Sequence, residues 1–488
     1  MYRLVLYGLV TLAAISIIFG FTGVIAYSGL SQLLLLGVLL ASSASFNLLF
    51  SIAFRAPRNV ESVYITAFIL FFLLDPTMRF NSLLFAGIAG FIAMGSKYVF
   101  AIKRRHIFNP AAIAALALDL IGTGAVIWWV ATPYLIAFVL ILGLLIVRKI
   151  RRFPLFFSFL ITNIAVNLLT KTSVIAPLQI LSSTFLSWPT IFFATVMVTE
   201  PLTMPPTKRY QAVYGILIGA LSSLPFAFGR IFSTPELALV VGNIYAYIVG
   251  SKQNIILRLK SKTQLSDTIY DFAFESSEPI KFTAGQYVEW TLPHEKSDSR
   301  GNRRFFTIAS SPTSELVHLG VRIDPKQGSS FKNALMTLKE GRGLMVSHVA
   351  GEFTLPKDQG KKLVFIAGGV GITPFASMAN YLLDMRQRRD IVLMYAANAE
   401  TEFAYKEMFE RARDVGVRTE YVVAKPSGVW TGRSGYITPA IISEDIPDYR
   451  ERMFYLSGPQ AMVQNYKNML LKMGIHQTHI KTDYFPGF

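Results

Sequence analysis

Cysteine is absent from the 488-residue chain, and histidine is scarce: six in all, with only His106 among the first 250 residues. The first absence excludes disulfides, cysteine-ligated iron–sulfur clusters and thiol nucleophiles together. It says nothing of compartment, since a chain without thiols tolerates any redox environment. The second absence excludes stacked haems in the first half, because each iron takes two axial ligands and two haems need about four histidines there. Acidic residues are also few in that half: Glu61, Asp75, Asp119, Glu200 and Glu236. Sixteen Lys and Arg oppose these five, so +11 of the chain's net +17 lies in the first 250 residues. Positive charge set between apolar runs is a topology signal rather than a nucleic-acid footprint. Neither a nucleic-acid partner nor a metal site is expected.

What the chain has in quantity is apolar residue, 52% of the total. Runs near 4–27, 30–54, 62–75, 82–99, 112–130, 133–147, 154–170, 190–199, 210–228 and 237–250 predict a polytopic α-helical membrane domain over 1–250, with about ten segments. Several are shorter than the roughly 20 residues of a full span. The first run is too long, and too closely followed by others, to be a cleaved signal peptide. Arg3, Arg55, Arg58, Lys97, Lys103, Arg104, Arg105, Arg148, Lys149, Arg151, Arg152, Lys208 and Arg209 fall on one side of such a topology, and only Arg79, Lys171 and Arg230 on the other. The positive-inside tendency then predicts an integral membrane protein with its N-terminus and its C-terminal half in the cytoplasm.

Two stretches interrupt the apolar pattern, "FNPAA" at 108–112 and "VTEPLTMPP" at 198–206. Each is either a helix broken at membrane depth, whose freed amides could face a ligand, or a proline opening an ordinary helix. Asp119 and Glu200 lie within or beside apolar segments, where a charge is costly and usually serves something. The plainer readings are a polar contact between helices for Asp119 and an interfacial carboxylate near Lys208 and Arg209 for Glu200.

Beyond the linker "GSKQN" at 250–254 the pattern changes. Alternating segments such as "IILRLKS" and "YDFAFES" predict an antiparallel β-barrel over 251–357. "KKLVFIAGG", "IVLMYAAN" and "RMFYLSGP" are continuous apolar strands ending in turn residues, and they predict an α/β nucleotide-binding domain over 358–488.

The motifs in this half resemble those of the ferredoxin–NADP reductase superfamily over about 252–488. "RRFFTIASS" at 303–311 is similar to its flavin motif, which implies Arg304 on the FAD pyrophosphate, Phe306 on the isoalloxazine and the Thr307 hydroxyl toward the redox edge. "TAGQYV" at 283–288 implies flavin contacts from Gln286 and Tyr287. "KQGSSFKNAL" at 326–335 resembles a phosphate-cradling turn, with Gly328, Ser329 and Ser330 opening a helix. "AGGVGITPF" at 367–375 resembles the nicotinamide pyrophosphate loop, with Gly368, Gly369 and Gly371 admitting the phosphates and Thr373 and Pro374 starting the helix. "YLSGPQAM" at 455–462 matches the family's Cys-Gly-Pro motif at Ser457, Gly458 and Pro459, with serine where cysteine is usual. The terminal Phe488 resembles the aromatic that covers the flavin. Thr307, Ser457 and Phe488 are thus the expected catalytic set. Asn398 and Glu400, after "LMYAAN", suit a ribose 2′-hydroxyl and favour NADH over NADPH.

"HIFNPAAIAAL" and "FFATVMVTEPLTMPPTKRYQAVYGILIGAL" resemble the D-type subunit of the Rnf complex and the B subunit of sodium-translocating NADH:quinone reductase. That resemblance implies a second flavin, FMN or riboflavin, in the membrane half, with Asn109 and Glu200 framing its site. The family's FMN-bearing threonine aligns with Ala176 in "SVIAPL", which has no hydroxyl, so the flavin is expected to be noncovalent or attached at Thr172, Ser173 or elsewhere. The expected function is oxidation of cytoplasmic NAD(P)H through FAD, with electrons relayed through the membrane flavin to an extracytoplasmic flavoprotein or other acceptor. The alternatives are an NAD(P)H:quinone reductase, and a transporter or channel with a redox-sensing domain. Membrane lipid is a partner in every case.

Overall fold

A computed structural model divides the chain into two units, Met1–Gln253 and Asn254–Phe488. It describes residues 2–54, 60–102, 105–150, 152–250, 255–295, 297–298, 301–323 and 328–485. Phe488 lies outside the described residues, as do Arg55, Arg58, Lys103, Arg104 and Arg151 of the topology argument.

In the first unit helices form where apolar residues run unbroken, because backbone polar groups in lipid must be satisfied within the segment. Among the described residues four helices are long and apolar enough to cross a membrane: Arg3–Phe21, Gly29–Ala53, Phe80–Val99 and Phe153–Lys171. Pro177–Leu186 and Thr190–Met197, bent by 58°, make a fifth if counted as one span. The expectation of ten spans is not supported, since other apolar runs build shorter helices such as Glu61–Leu73, Pro110–Leu120 and Pro235–Val249. The run 112–130 supplies the reason. Its helix stops at Leu120, and the chain then doubles back in extended form, with Asp75 N donating to Ala125 O (2.8 Å) and Ile127 N to Leu73 O (2.9 Å). Hydropathy records composition and is blind to such a reversal. Two short hairpins, β1 (Ala101–Ile102) with β2 (Arg105–His106) and β3 (Ala227–Phe228) with β4 (Ile231–Phe232), close loops of this unit.

The two interrupted stretches differ. At "FNPAA" an ordinary helix begins: Asn109 Oδ1 accepts from Ala112 N (3.0 Å), and Pro110 sits where the helix needs no donor. At "VTEPLTMPP" the backbone does break, since a π-helix over Phe193–Met197 is followed by no regular helix until Lys208. The helix start and the break meet. Asn109 Nδ2 donates to Glu200 Oε2 (2.8 Å), Asn109 N to Asn243 Oδ1 (2.8 Å), and Asn243 Nδ2 to Tyr214 Oη (3.0 Å). Asp119 lies against Glu236, whose carboxylate also accepts from Trp128 Nε1 (3.1 Å). That is a polar contact between helices.

The second unit pairs a barrel with a parallel sheet. β5 (Ile255–Gln264), β6 (Ile269–Ser276), β7 (Tyr287–Thr291), β8 (Arg303–Thr307), β9 (Leu316–Arg322) and β10 (Gly343–Ala350) form an antiparallel sheet of order β8-β7-β10-β5-β6-β9. Ile255, Leu257 and Leu259 point inward while Arg258 and Lys260 are exposed, the alternation of a sheet with one wet face. β11 (Leu363–Gly368), β12 (Ile391–Ala397), β13 (Val417–Val423), β14 (Arg433–Ser434), β15 (Met453–Pro459) and β16 (Ile480–Phe485) form a parallel sheet of order β14-β13-β12-β11-β15-β16. Every residue of β11 is buried. Phe365 packs on one face, stacked at 4.5 Å on Phe375, and Val364 and Ile366 pack on the other. A strand covered on both sides has no room for alternation, which is why it reads as one apolar run.

Candidate active site

β8 carries the first cradle. The register sets Tyr287 opposite Thr307 and Trp290 opposite Arg304. Arg304 Nη2 lies on the Asp298 carboxylate, donating at 3.0 and 3.1 Å to its two oxygens. Ser330 N, at the start of the helix Ser330–Thr337, also donates to Asp298 Oδ2 (3.3 Å). Ser329 caps that helix by accepting from Lys332 N (3.3 Å), and a Cβ on Gly328 would meet Asn333 Oδ1 at 2.1 Å. A guanidinium and a helix N-terminus here already share one anion. Gln286 builds the adjoining turn, accepting from Thr283 N (2.8 Å) and donating to Gly351 O (3.0 Å). Phe306 packs on Phe331 (5.7 Å between centroids). Its neighbour Phe305 is 52% exposed and edge-on to Tyr287 at 5.8 Å. Thr307 is buried, and among the described residues its Oγ1 has no hydrogen-bond partner.

The second cradle stands at the C-terminal ends of β11 and β15, where open α/β sheets bind ligands. Gly368 ends β11, and Gly369 takes φ +53°, a conformation most side chains avoid. Thr373 Oγ1 donates to Val370 O (3.1 Å), and the helix Thr373–Asp384 begins with Pro374 in its first turn. Gly371 is pressed against the neighbouring strand end: a Cβ there would lie 2.4 Å from Ser457 O. Ser457 is fully buried, and its Oγ also lacks a partner. Gly458 and Pro459 follow it, and a Cβ on Gly458 would meet Met462 Cε at 2.6 Å.

These residues fit FAD and a nicotinamide dinucleotide. Among the described residues each cradle leaves one buried hydroxyl, Thr307 or Ser457, without a bond, and a buried polar group is normally paired. Glycines leave the backbone bare where phosphates would approach. Ser457→Ala is expected to raise thermal stability slightly, since an unpaired buried hydroxyl costs about 1–3 kcal/mol, and to slow flavin reduction by NADH roughly tenfold through one lost hydrogen bond. A melting curve and a stopped-flow trace of the same sample check both, and an unaltered rate would place the hydroxyl outside the reaction. Glu400, read from sequence as facing a ribose, accepts from Ser427 N and Ser427 Oγ, each at 2.8 Å. Asn398 N donates to Glu402 Oε2 (3.2 Å).

Asn109 and Glu200 are brought together by a direct hydrogen bond. The cavity they line with Ser62, Thr66 and Pro201 measures about 30 Å³, room for one or two waters. Glu200 Oε2 accepts from both Asn109 Nδ2 and Thr203 Oγ1, and Asn109 Oδ1 accepts from Ala112 N. Ala176 opens the helix Pro177–Leu186 without a side-chain bond.

Residues 365–468 match the family described as oxidoreductase NAD-binding domain. The phenol hydroxylase P5 protein of Acinetobacter pittii (strain PHEA-2) is 28% identical over 249 residues, which is 49% of this chain and 67% of that protein. The glycine betaine monooxygenase reductase subunit of Pseudomonas aeruginosa (strain UCBPP-PA14) is 28% identical over 221 residues, 44% of this chain, and the match spans only 59% of the subunit's own length. The crystal structure of the Amycolatopsis cytochrome P450 reductase GcoB has a TM-score of 0.43 and 23% identity, over 48% of this chain and 70% of that one. The C-terminal half is a ferredoxin–NADP reductase-like, FAD- and NAD-binding domain, an NAD(P)H-dependent flavin oxidoreductase.

Proposed function

We propose that the chain is a membrane-anchored NAD(P)H-dependent flavin reductase that delivers electrons to an acceptor at the membrane. The reading is carried by the coexistence of two cradles, each with an unpaired buried hydroxyl (Thr307 and Ser457), in a chain whose other half holds four membrane-length helices. Bound FAD would take a hydride and release its two electrons singly. The chain's own residues do the rest. Arg304 and the Ser330 helix start would hold the flavin pyrophosphate, and Gly369, Gly371 and Thr373 would admit that of the nicotinamide. Tyr287 and Phe305 shield one side from water, and Ser457 and Thr307 offer hydroxyls to orient the reacting rings. Positive charge flanking the apolar runs favours the cytoplasm for the reductase half. A membrane quinone is one class of acceptor; a partner protein is another, as the names of the oxygenase-linked relatives suggest.

A second reading, outward relay through a second flavin, draws on the broken helix and its polar contacts around Glu200. Counting cofactors separates the two. Full-length protein purified in detergent is expected to release one FAD per chain on acid precipitation, all of it bleached by NADH beforehand. Two flavins per chain, both reduced, would favour the relay, and no flavin would end both readings.

A further inference from the structure

Hydride transfer tolerates little error in position, and the two cradles lie on different lobes of the second unit. Thr307 belongs to the barrel; Gly369, Gly371 and Ser457 belong to the parallel sheet. Whatever fixes one lobe on the other is then part of the reaction.

The lobes meet at Tyr405. It precedes the helix Lys406–Arg411 in a left-handed conformation, φ +60° and ψ 23°, which is rare for a bulky side chain and persists only where the surroundings enforce it. The enforcing contact comes from the barrel. Tyr405 Oη donates to Asp271 Oδ1 on β6 (2.8 Å), and Asp271 Oδ2 lies 2.6 Å from His318 Nδ1 on β9. Asp271 is only 7% exposed. Burial, together with the Asp271 carboxylate, holds the Tyr405 hydroxyl well above its usual pKa, so it remains a donor.

From Tyr405 the connection to the glycine loop is short. Ala404 N donates to Tyr395 Oη (3.2 Å), and Tyr395 Oη donates to Gly369 O (3.3 Å). A steric contact runs alongside. On β9, two residues past His318, a Cβ on Gly320 would lie 2.6 Å from both Tyr405 Oη and Thr373 Cγ2, and Thr373 is the first residue of the helix after the loop. A parallel tie passes through Ser377, whose Oγ donates to Ser310 O (2.7 Å) and accepts from Gly285 N (3.3 Å). The first tie ends on the glycine backbone of the nicotinamide loop; the second ends on the helix that follows it.

We propose that Tyr405, braced by Asp271 and His318, is a positioning residue for hydride transfer, setting the nicotinamide loop against the flavin strand through Gly369 and Thr373. The inference rests on the reading that NAD(P)H reduces FAD in this domain. Substituting Tyr405→Phe keeps the buried ring and removes the donor; Gly320→Ala wedges the same contact from the barrel side. In FAD-loaded full-length protein, either variant is expected to slow the limiting rate of flavin bleaching by NADH, roughly ten- to a hundredfold. FAD content and the NADH concentration giving half the limiting rate should change by less than about twofold. Hydrogen–deuterium exchange should quicken at the segments around Gly369 and Ala404, a readout that needs no turnover. Three outcomes would overturn the proposal: an unchanged limiting rate, unchanged exchange, or a rate lost in step with FAD and NADH affinity. Should Tyr405→Phe fail to fold, Gly320→Ala and Asp271→Asn decide by the same criteria. If wild-type flavin is not bleached by NADH, it is the assigned reductase activity that fails, not the clasp.

Discussion

Arg304→Ala is expected to leave the purified protein largely without FAD. The side chain is 14% exposed, and its Nη2 already donates to both oxygens of Asp298. Ser330 N reaches the same carboxylate from the helix start at 3.3 Å. A pyrophosphate oxygen would find these donors in place. Hydrogen bonds to a charged group contribute about 1.5–3 kcal/mol each, so removing a two-pronged contact should weaken FAD binding roughly a hundredfold or more. Lysine should restore only part of this, because it supplies charge without the fork. Arg304 also donates to Gly301 O (2.9 Å) and Arg303 O (2.7 Å), so some barrel stability goes with it. Titrating apoprotein with FAD, with a melting curve on the same sample, distinguishes a lost ligand from a lost fold. Wild-type occupancy in the alanine variant would remove Arg304 from the pyrophosphate site.

Gly371→Ala is expected to slow flavin reduction by NADH roughly a hundredfold while FAD stays bound. The added Cβ would sit 2.4 Å from Ser457 O, 2.5 Å from Ser457 C and 2.6 Å from Gly458 Cα. All three are backbone atoms at the end of a strand hydrogen-bonded on both sides, with β11 and β16 as its neighbours. They can retreat only by opening the sheet at the point where the dinucleotide would enter. Overpacking of this kind costs about 1–3 kcal/mol. The larger consequence is geometric, since a shift near 1 Å at a reacting centre can cost roughly a hundredfold in rate. The barrel cradle does not include these atoms, so FAD absorbance should survive. Stopped-flow reduction by NADH checks the first half of the prediction and the flavin spectrum the second. A reduction rate within about threefold of wild type would mean that the loop has slack the structure does not show.

How much of this was legible in the sequence depended on how far apart the partners lie. The glycine turn after β11 was readable because strand, turn and helix start fall within about a dozen residues and each carries a local signature. Ser329 as a helix cap was readable for the same reason. Asp298 was not singled out: it stands in a charged loop, and Ser330, which it meets, is 32 residues away. Tyr405 and Asp271 are 134 residues apart, and nothing local marks either. Phe305 and Phe306 look alike in sequence; which of them faces outward is settled by the pairing of β8 with β7. The apolar first half misled in the opposite way. Its apolar runs are real, but the stretch 112–130 folds back on Leu73–Asp75 instead of continuing as a helix, and composition does not encode that reversal.

The sequence by itself determined what chemistry the chain can support. Without thiols, and with one histidine in its first half, it lacks the ligands for cysteine-bound iron–sulfur clusters or for stacked haems there, and its strand-ending glycines and Arg304 resemble the motifs of flavin and nicotinamide reductases. Tertiary structure alone decided which polar atoms are used up. Glu200 is bonded to Asn109 across 91 residues, while the buried Thr307 and Ser457 hydroxyls find no partner among the described residues. The reason is that a buried polar atom is silenced or kept available by whatever packing brings within 3 Å of it, and that neighbour is chosen by the fold and not by proximity along the chain.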